Sequence, residues 1–434
     1  MKIDTICVQG GYSPKNGEPR VLPICQSTTY KYDSSEQMGN LFDLKEEGFF
    51  YTRLGNPTND AVEKKLAMLE GGVGCLLTSS GQMASLYSVV NIASAGDHVI
   101  SSSSIYGGTF NLFYKTLKDF GIETTFVPAD STADELEKYF RPNTRCVFGE
   151  ALSNPSLDIL DIEEFAKAAH RHNVPLIVDN TFPTPINLRP FEFGADIVVH
   201  STSKYLDGHA CALGGAVIDS GNFDWAGGDF PMLTTPDESY HGLVYTESFG
   251  KAAYITKART HLMRDIGGTP SPTNAFLLNL GMDTLALRVK RHCDNAKLVA
   301  EYLQRNIDGG TGMITWVNYP DLPGNKNHSL CEKYLPNGSS GVISFGIRGG
   351  REAATVFMDS MKLAAIVTHV ADARTSLLHP ASTTHRQMND EQLAACGVSP
   401  ELIRFSVGIE DPEDIIEDIE NALKATASGL AKNA

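Results

Sequence analysis

A chain of 434 residues is too long for one hydrophobic core, so we expect roughly two domains with additional segments. Its formal net charge of −16 disfavours nucleic acid and anionic membrane as partners, because both require a basic surface. The sequence has no apolar signal-peptide core and no run of about eighteen apolar residues. Its eight cysteines are scattered without metal-ligand spacing. We therefore expect a cytoplasmic protein without a metal site.

Residues 1–57 show weak periodicity and many turn-forming residues, which predicts an extended N-terminal arm. The arm contains Tyr51 and Arg53, whose side chains need some other surface on which to pack. We place a large domain at residues 58–285 and a small domain at residues 286–434.

In the large domain, helical segments alternate with strands that are apolar nearly throughout. This alternation predicts a mostly parallel sheet covered by helices on both faces. The helices are expected at 60–70, 82–94, 109–120 and 161–172, and the strands at 75–78, 98–102, 124–127, 145–152, 174–178 and 195–199. Residues 221–250 are rich in Gly, Pro and aromatic side chains, and predict a long loop or insertion.

The rest of the chain predicts a smaller α+β domain, entered through an amphipathic helix at 283–305. Its strands are expected at 314–317, 341–347 and 403–407, and its further helices at 351–361 and 413–427.

Two residues that follow or end apolar strands indicate a catalytic function. Lys204 follows the strand at 195–199, and Asp179 ends the strand at 174–178. A lysine amine can form a Schiff base with pyridoxal 5′-phosphate, while a carboxylate can hold the pyridine nitrogen protonated. A lone lysine is more often a solvated surface charge, but the pair on two strand ends favours the cofactor.

Further polar groups follow other strands toward the same edge, where open parallel sheets bind ligands. Gly81 and Gln82 open a helix whose N–H groups could bind a phosphate, although such a glycine is often only a turn. Ser201 and Ser203 could donate hydroxyl groups to the same phosphate or cap a local turn. Tyr106, followed by two glycines, could stack on the cofactor ring or be a half-buried core tyrosine.

Two more side chains have both a structural and a functional interpretation. Asn154 could reach the phenolic oxygen of the cofactor or simply initiate a turn. Arg404 lies within a strand of the small domain, where an arginine usually faces solvent. Its planar guanidinium also suits a substrate carboxylate.

Eight motifs spread over nearly the whole chain resemble the Cys/Met-metabolism family of pyridoxal-phosphate enzymes, and within it the O-acetylhomoserine sulfhydrylases. They are YTRLGNPT (51–58), SSGQMAS (79–85), YGGTF (106–110), VDNTF (178–182), HSTSKYLDGH (200–209), DART (372–375), HPASTTH (379–385) and RFSVGIED (404–411).

The resemblance implies an aspartate-aminotransferase-like fold (fold type I) and gives each candidate a role. Lys204 would be the Schiff-base lysine and catalytic base, Asp179 the pyridinium partner and Tyr106 the ring-stacking residue. Arg404 would clamp the substrate carboxylate. The phosphate would be bound by Gly81, Gln82, Ser201 and Ser203, and the phenolic oxygen by Asn154. Tyr51 and Arg53 would reach the phosphate site of a neighbouring subunit in a homotetramer, a dimer of dimers.

The reaction that the resemblance implies is γ-replacement on O-acetyl-L-homoserine by sulfide. The alternatives are γ-elimination from methionine or homocysteine, a cystathionine-forming enzyme, and a non-catalytic relative, which the intact Lys204 and Asp179 argue against. Gly108 stands where γ-lyases carry a cysteine, and this weakens the lyase alternative. The 221–250 insertion and the HPASTTH run also favour the sulfhydrylase branch. His369 replaces the Asn or Ser of many relatives near the substrate carboxylate, so we expect it to alter that contact.

Overall fold

The computed structural model describes residues 1–307, 309–383, 386 and 398–433. The chain divides into two compact units. The first comprises Met1–Ala151, Leu160–Asp207 and Cys211–Thr284, and the second comprises Leu152–Ile159, Gly208–Ala210 and Leu285–Ala434. The division into segments 1–57, 58–285 and 286–434 stays a prediction.

The N-terminal segment differs from the extended arm that we expected, because it contains two helices. Helix α1 spans Ile3–Gln9 and buries Ile6 and Cys7. Helix α2 spans Ser35–Phe42, and the Ser34 side chain caps it by accepting the backbone N–H of Gln37. Both helices are short, so their periodicity is too brief to stand out in the sequence.

The first unit is built on a seven-stranded sheet in the order β1-β7-β6-β5-β4-β2-β3. Strands β2 to β6 pair in parallel, whereas β7 runs antiparallel to both β1 and β6. This confirms the mostly parallel α/β sheet, but β7 was not predicted. The strands are β1 (Gly74–Thr78), β2 (His98–Ser102), β3 (Glu123–Val127), β4 (Thr144–Glu150), β5 (Leu176–Asp179), β6 (Ile197–His200) and β7 (Gly215–Asp219).

Helices connect the parallel strands and bury apolar side chains against the sheet, as crossover connections require. Helix α4, for example, buries Ala84 and Tyr87 in a core that also contains Leu76, Phe148 and Val199 from the strands. The helices of this part are α3 (Pro57–Glu70), α4 (Gly81–Val90), α5 (Gly107–Asn111), α6 (Ala133–Leu136), α7 (Ile162–Arg171) and α8 (Thr184–Asn187). A π-helical segment, Leu112–Leu117, continues α5.

The insertion at 221–250 is not a plain loop but a series of short helical turns held by aromatic side chains. Trp225 stacks on Tyr254 with ring centroids 5.2 Å apart, and Phe230 packs edge-on against Trp225 at 5.1 Å. The remaining helices of the first unit are α9 (Pro231–Thr234), α10 (Tyr245–Phe249), α11 (Ala253–Lys257) and α12 (Pro272–Asp283).

The second unit contains a five-stranded sheet in the order β10-β11-β12-β9-β8. Its long helices pack on one apolar core with the strands. The strands are β8 (Ile314–Asn318), β9 (Val342–Ile347), β10 (Ala365–Ile366), β11 (Ser376–Leu378) and β12 (Leu402–Ser406). The helices are α13 (Leu285–Arg305), α14 (His328–Tyr334), α15 (Gly350–Ser360) and α16 (Pro412–Asn433). In the described part of the chain, no helix is both long and apolar enough to cross a membrane.

Candidate active site

The ends of three neighbouring strands bring polar groups to one edge of the first sheet. Glu150 at the end of β4 is in register with Asp179 at the end of β5, and Asp179 is in register with Val199 of β6. His200 then ends β6 and leads into the segment that carries Lys204. The structure therefore places the Asp179 strand end beside the strand that leads to Lys204, as the parallel-sheet argument requires.

Thr181 fixes the Asp179 carboxylate. Its backbone N–H donates to Asp179 Oδ1 at 3.0 Å, and its hydroxyl donates to the same oxygen at 2.5 Å. Neither bond uses Oδ2. Burial raises the pKa of Asp179, although the Thr181 hydrogen bonds and the charge of His200 act in the opposite direction. A carboxylate that burial penalises in this way is stabilised by a cation, such as a protonated pyridine nitrogen.

The segment that carries Lys204 is held at defined points of its main chain. Ser201 N–H donates to the Thr181 hydroxyl at 2.9 Å, so Thr181 links this segment to the Asp179 carboxylate. Further along, Thr202 N–H donates to the carbonyl of Gly214 at 3.1 Å. Lys204 itself is half-buried. These bonds fix the backbone from which the lysine side chain extends.

The start of α4 lies directly against Ser201. A β-carbon on Gly81 would be 2.6 Å from the Ser201 β-carbon, so only glycine fits there without displacing the chain. Ser80 caps the helix by accepting the Met83 N–H at 3.2 Å. The first N–H groups of a helix have no partner within the helix, and they favour an anion. The geometry fits a phosphate bound between this helix start and Ser201.

Gln82, Tyr106 and Gly108 lie together beside this helix start. A β-carbon on Gly108 would overlap the Gln82 side-chain nitrogen and would lie 2.5 Å from Cε1 of the Tyr106 ring. Gln82 Oε1 is buried and has no hydrogen-bond partner. Tyr106 is about half exposed. An orphaned buried amide oxygen and an uncovered aromatic face are both consistent with a ligand site.

Ser203 has a different environment from Ser201. Its hydroxyl donates to the Gly214 carbonyl at 3.2 Å and accepts the Gly214 N–H at 3.0 Å. Because its single proton is used within the protein, it has none to donate to a phosphate in this arrangement. Its role as a phosphate ligand stays a prediction.

Glu150 was not predicted from the sequence. This carboxyl is buried, accepts the Tyr106 N–H at 2.5 Å and stands beside Asp179. Burial, and then the charge of Asp179, raise its pKa well above the usual value. The predicted strand ran to residue 152, which placed Glu150 inside the strand rather than at its end. The signal that could have found it was a charged residue in an otherwise apolar parallel strand.

Tyr51 and Arg53 line a separate cavity of about 690 Å³. The Arg53 guanidinium lies over the Tyr51 ring, 5.1 Å from its centroid. Neither Lys204 nor Asp179 is among the lining residues. The cavity that these two arm residues line within one chain therefore does not include the other residues expected to hold the cofactor. Their role in a neighbouring subunit stays a prediction.

In the second unit, Arg404 is buried on β12 rather than facing solvent. Its Nη2 donates to the carbonyl oxygens of Thr368 at 3.0 Å and His369 at 3.5 Å. His369 thus contacts Arg404 through its main-chain carbonyl, and the effect of its side chain on the substrate carboxylate stays a prediction. Asn154 also belongs to this unit and is joined to Pro155 by a cis peptide bond.

Three of the sequence motifs in the second unit are held by hydrogen bonds. Thr375, the last residue of DART, donates its N–H to Glu410 Oε1 at 2.6 Å and accepts the Gly408 N–H at 2.9 Å. His379 opens HPASTTH and contacts the Pro400 carbonyl at 2.6 Å. Residues 384 and 385 of that motif lie outside the described residues. Within the described ranges, no group of three or more His, Cys, Asp or Glu side chains is arranged to hold a metal ion.

Residues 4–424 match the model of a family described as "Cys/Met metabolism PLP-dependent enzyme". An O-acetyl-L-homoserine sulfhydrylase from Leptospira meyeri is 43% identical over 98% of this chain and 97% of its own length. A homocysteine synthase from Schizosaccharomyces pombe is 42% identical over 97% of this chain and 98% of its own.

A Campylobacter jejuni protein of known crystal structure is 38% identical in sequence to this chain. The two structures match with a TM-score of 0.93, and the match covers 98% of this chain and 100% of that chain. One of its lysines is joined to pyridoxyl 5′-monophosphate. The half-buried carboxylate of Asp179 and the helix start at Gly81 fit this cofactor in the present chain.

Proposed function

We propose a γ-replacement reaction for this chain, which belongs to the Cys/Met metabolism family of PLP-dependent enzymes and therefore uses pyridoxal 5′-phosphate. The substrates are O-acetyl-L-homoserine and sulfide or a small thiol, and the products with sulfide are L-homocysteine and acetate. This is a step of methionine biosynthesis. Full-length relatives named O-acetyl-L-homoserine sulfhydrylase and homocysteine synthase support these substrates.

One observation carries the proposal: Asp179, the segment of Lys204 and the helix start at Gly81 converge through Thr181 and Ser201. When bound, the cofactor supplies an electron sink for the electrons that remain after a proton leaves substrate carbon. Asp179 would keep the pyridine nitrogen protonated, since its carboxylate is fixed by Thr181 and supplies the negative charge. The N–H groups at Gly81 and Gln82 bind the phosphate.

Lys204 is proposed to hold the cofactor and to move the protons. Its Nζ accepts the proton from the substrate α-carbon and returns a proton at the end of the reaction. The main-chain bonds of Ser201 and Thr202 fix the backbone from which this side chain would reach the cofactor. Tyr106 covers the ring by stacking, which excludes water from one of its faces.

We assign the substrate α-carboxylate to Arg404, whose planar fork suits two carboxylate oxygens. The carbonyl groups of Thr368 and His369 hold Nη2, so the guanidinium is oriented before a substrate arrives. Asn154 is proposed to donate its amide to the phenolic oxygen. Both assignments rest on the family motifs.

Gly108 favours replacement over γ-elimination. Any side chain at this position would displace Gln82 or Tyr106, because a β-carbon added to Gly108 would overlap both of their side chains. A cysteine of the kind that γ-lyases carry is therefore excluded without a rearrangement of this corner of the site.

We further propose that the chain forms a homotetramer in the cytoplasm. Arg53 and Tyr51 line a cavity that includes neither Lys204 nor Asp179, which supports their use in the phosphate site of a neighbouring subunit. The eight cysteines are scattered along the sequence without paired or metal-ligand spacing, which supports a reducing compartment.

The test supplies O-acetyl-L-homoserine with and without sulfide, and measures homocysteine against 2-oxobutanoate. We expect homocysteine and acetate in equal amounts when sulfide is present, and little 2-oxobutanoate in either case. A product dominated by 2-oxobutanoate and ammonia in the presence of sulfide would replace this proposal by γ-elimination.

A further inference from the structure

Glu150 touches two groups of the candidate site and has no role in the reaction described above. It is the last residue of β4, is 5% exposed, and is in register with Asp179 on β5. Neighbouring strands lie about 4.8 Å apart, and in-register residues of parallel strands project from the same face of the sheet. Two carboxyl groups therefore lie side by side, with Glu150 buried and Asp179 half-buried.

The surroundings of these two carboxyl groups are unequal. Asp179 accepts two hydrogen bonds from Thr181 and is stabilised by the charge of His200 on β6. Glu150 accepts one, from the Tyr106 N–H, and among the described residues it forms no ion pair with an arginine, lysine or histidine. Two adjacent carboxylates, one of them buried, cannot both ionise at little cost, and the proton goes to the one with the poorer environment for its anion.

We propose that Glu150 is held as a neutral carboxylic acid, which anchors the main chain at Tyr106 and leaves Asp179 as the only negative charge of the pair. The raised pKa of Glu150, caused first by burial and then by Asp179, agrees with this assignment. Glu150 is thus a positioning residue. This assignment rests on the proposed function in one respect, namely that the cofactor ring lies between Tyr106 and Asp179.

Two consequences follow for the cofactor. A single carboxylate would face the pyridine nitrogen, so its one negative charge would be matched by one proton on that nitrogen. In addition, the backbone bond to Glu150 holds Tyr106 at the start of α5, and this fixes where its ring can lie. A glutamine at position 150 would preserve both features, because its amide is neutral and its oxygen can accept the same N–H.

The test compares Glu150→Gln with Glu150→Leu in the holoenzyme. Glu123→Gln is the matched control, since Glu123 is an exposed residue on β3 of the same sheet. Infrared difference spectra near neutral pH, in H₂O and D₂O, detect the carbonyl stretch of a protonated carboxylic acid. The cofactor dissociation constant and the visible circular dichroism report the position of Tyr106, and far-ultraviolet circular dichroism reports folding.

We expect a protonated-carboxyl band that loses the intensity of one carboxyl group in Glu150→Gln and keeps its full intensity in Glu123→Gln. Glu150→Gln should keep the cofactor dissociation constant within about twofold of the unaltered chain. Glu150→Leu should weaken it about tenfold, because the Tyr106 N–H is left unpaired.

A protonated-carboxyl band of unchanged intensity in Glu150→Gln would overturn the neutral state. A folded Glu150→Leu protein with unchanged affinity and unchanged visible circular dichroism would overturn the anchoring role. The band belongs to the protein side chain, so it is decisive with or without bound cofactor. Failure of the unaltered chain to bind pyridoxal phosphate would count instead against the proposed function.

Discussion

Replacing Asp179 by asparagine distinguishes two effects of its carboxylate. One is the free-energy cost of its burial, and the other is its stabilisation of the protonated cofactor ring. The asparagine oxygen can accept both donors of Thr181, so the local hydrogen bonds survive. Its nitrogen would then face the pyridine ring and donate to it, and the ring nitrogen would lose its proton. We therefore expect Asp179→Asn to fold and to bind cofactor, but to catalyse poorly.

The expected magnitudes differ between binding and turnover. Exchanging a charge-assisted hydrogen bond for a neutral one costs about 1.4 kcal/mol, or about tenfold in the cofactor dissociation constant. Turnover should fall further, by about 10²–10³-fold, which is the usual effect of removing one preorganised electrostatic partner. The cofactor-free protein should lose no stability, because burial penalises the native carboxylate.

Asp196→Asn is the matched control. Asp196 is a buried aspartate just before β6, at the opposite end of the strand from His200, and it pairs with His170 at 2.8 Å. We expect this variant to lower the unfolding temperature and to leave cofactor affinity and turnover unchanged. Steady-state kinetics, cofactor titration and thermal unfolding with and without cofactor measure these effects. Wild-type turnover in Asp179→Asn, or an equal loss in Asp196→Asn, would refute the reasoning.

Other variants test the remaining parts of the site and the fold. Arg53→Ala should weaken both cofactor retention and subunit association, which size-exclusion chromatography with the cofactor content measured in each fraction would show. The control is Lys31→Ala, because Lys31 is exposed. A fully active, cofactor-loaded monomer would contradict the shared site. Gly81→Ala should lower phosphate affinity at least tenfold, because its β-carbon would lie 2.6 Å from the β-carbon of Ser201. Gly39 lies in open space on α2, so Gly39→Ala should instead stabilise the fold by about 0.5–1 kcal/mol in denaturant unfolding. Burial raises the pKa of Asp219 to about 7, so the stability that its protonated form contributes is complete below about pH 3.9 and is lost as the pH rises toward 7. Asp219→Asn should flatten the plot of unfolding free energy against pH in this range, and an unchanged plot would contradict the assignment.

The sequence allowed the parallel sheet to be predicted because its strands are short apolar runs that end in polar residues. The predicted strand at 98–102 agrees with β2, and Asp179 indeed ends β5. β7 was missed because it follows Lys204 without an intervening helix, so the alternation that identified the other strands gave no signal. The helices at Ile3–Gln9 and Ser35–Phe42 were missed because each contains only about two turns.

The candidate site could be predicted in its residue types but not in its internal contacts. Lys204 and Asp179 stand out because a lysine that follows one apolar strand and an acid that ends another match the amine and the carboxylate that one cofactor needs. The link through Thr181 could not be seen, since it depends on a side-chain rotamer that joins two strand ends. Glu150 was overlooked because a two-residue error in a strand end hid its position, and strand boundaries are the weakest part of such predictions.

The central claim is that the cofactor is bound at the strand edge through Lys204. The most direct measurement is reduction of the holoenzyme with borohydride, followed by proteolysis and mass spectrometry of the lysine-containing peptides. We expect the added mass of the reduced cofactor on Lys204, and loss of both this mass and the visible absorbance in Lys204→Ala. Cofactor attached to another lysine, such as the buried Lys257, or retained in Lys204→Ala with its absorbance, would contradict the claim.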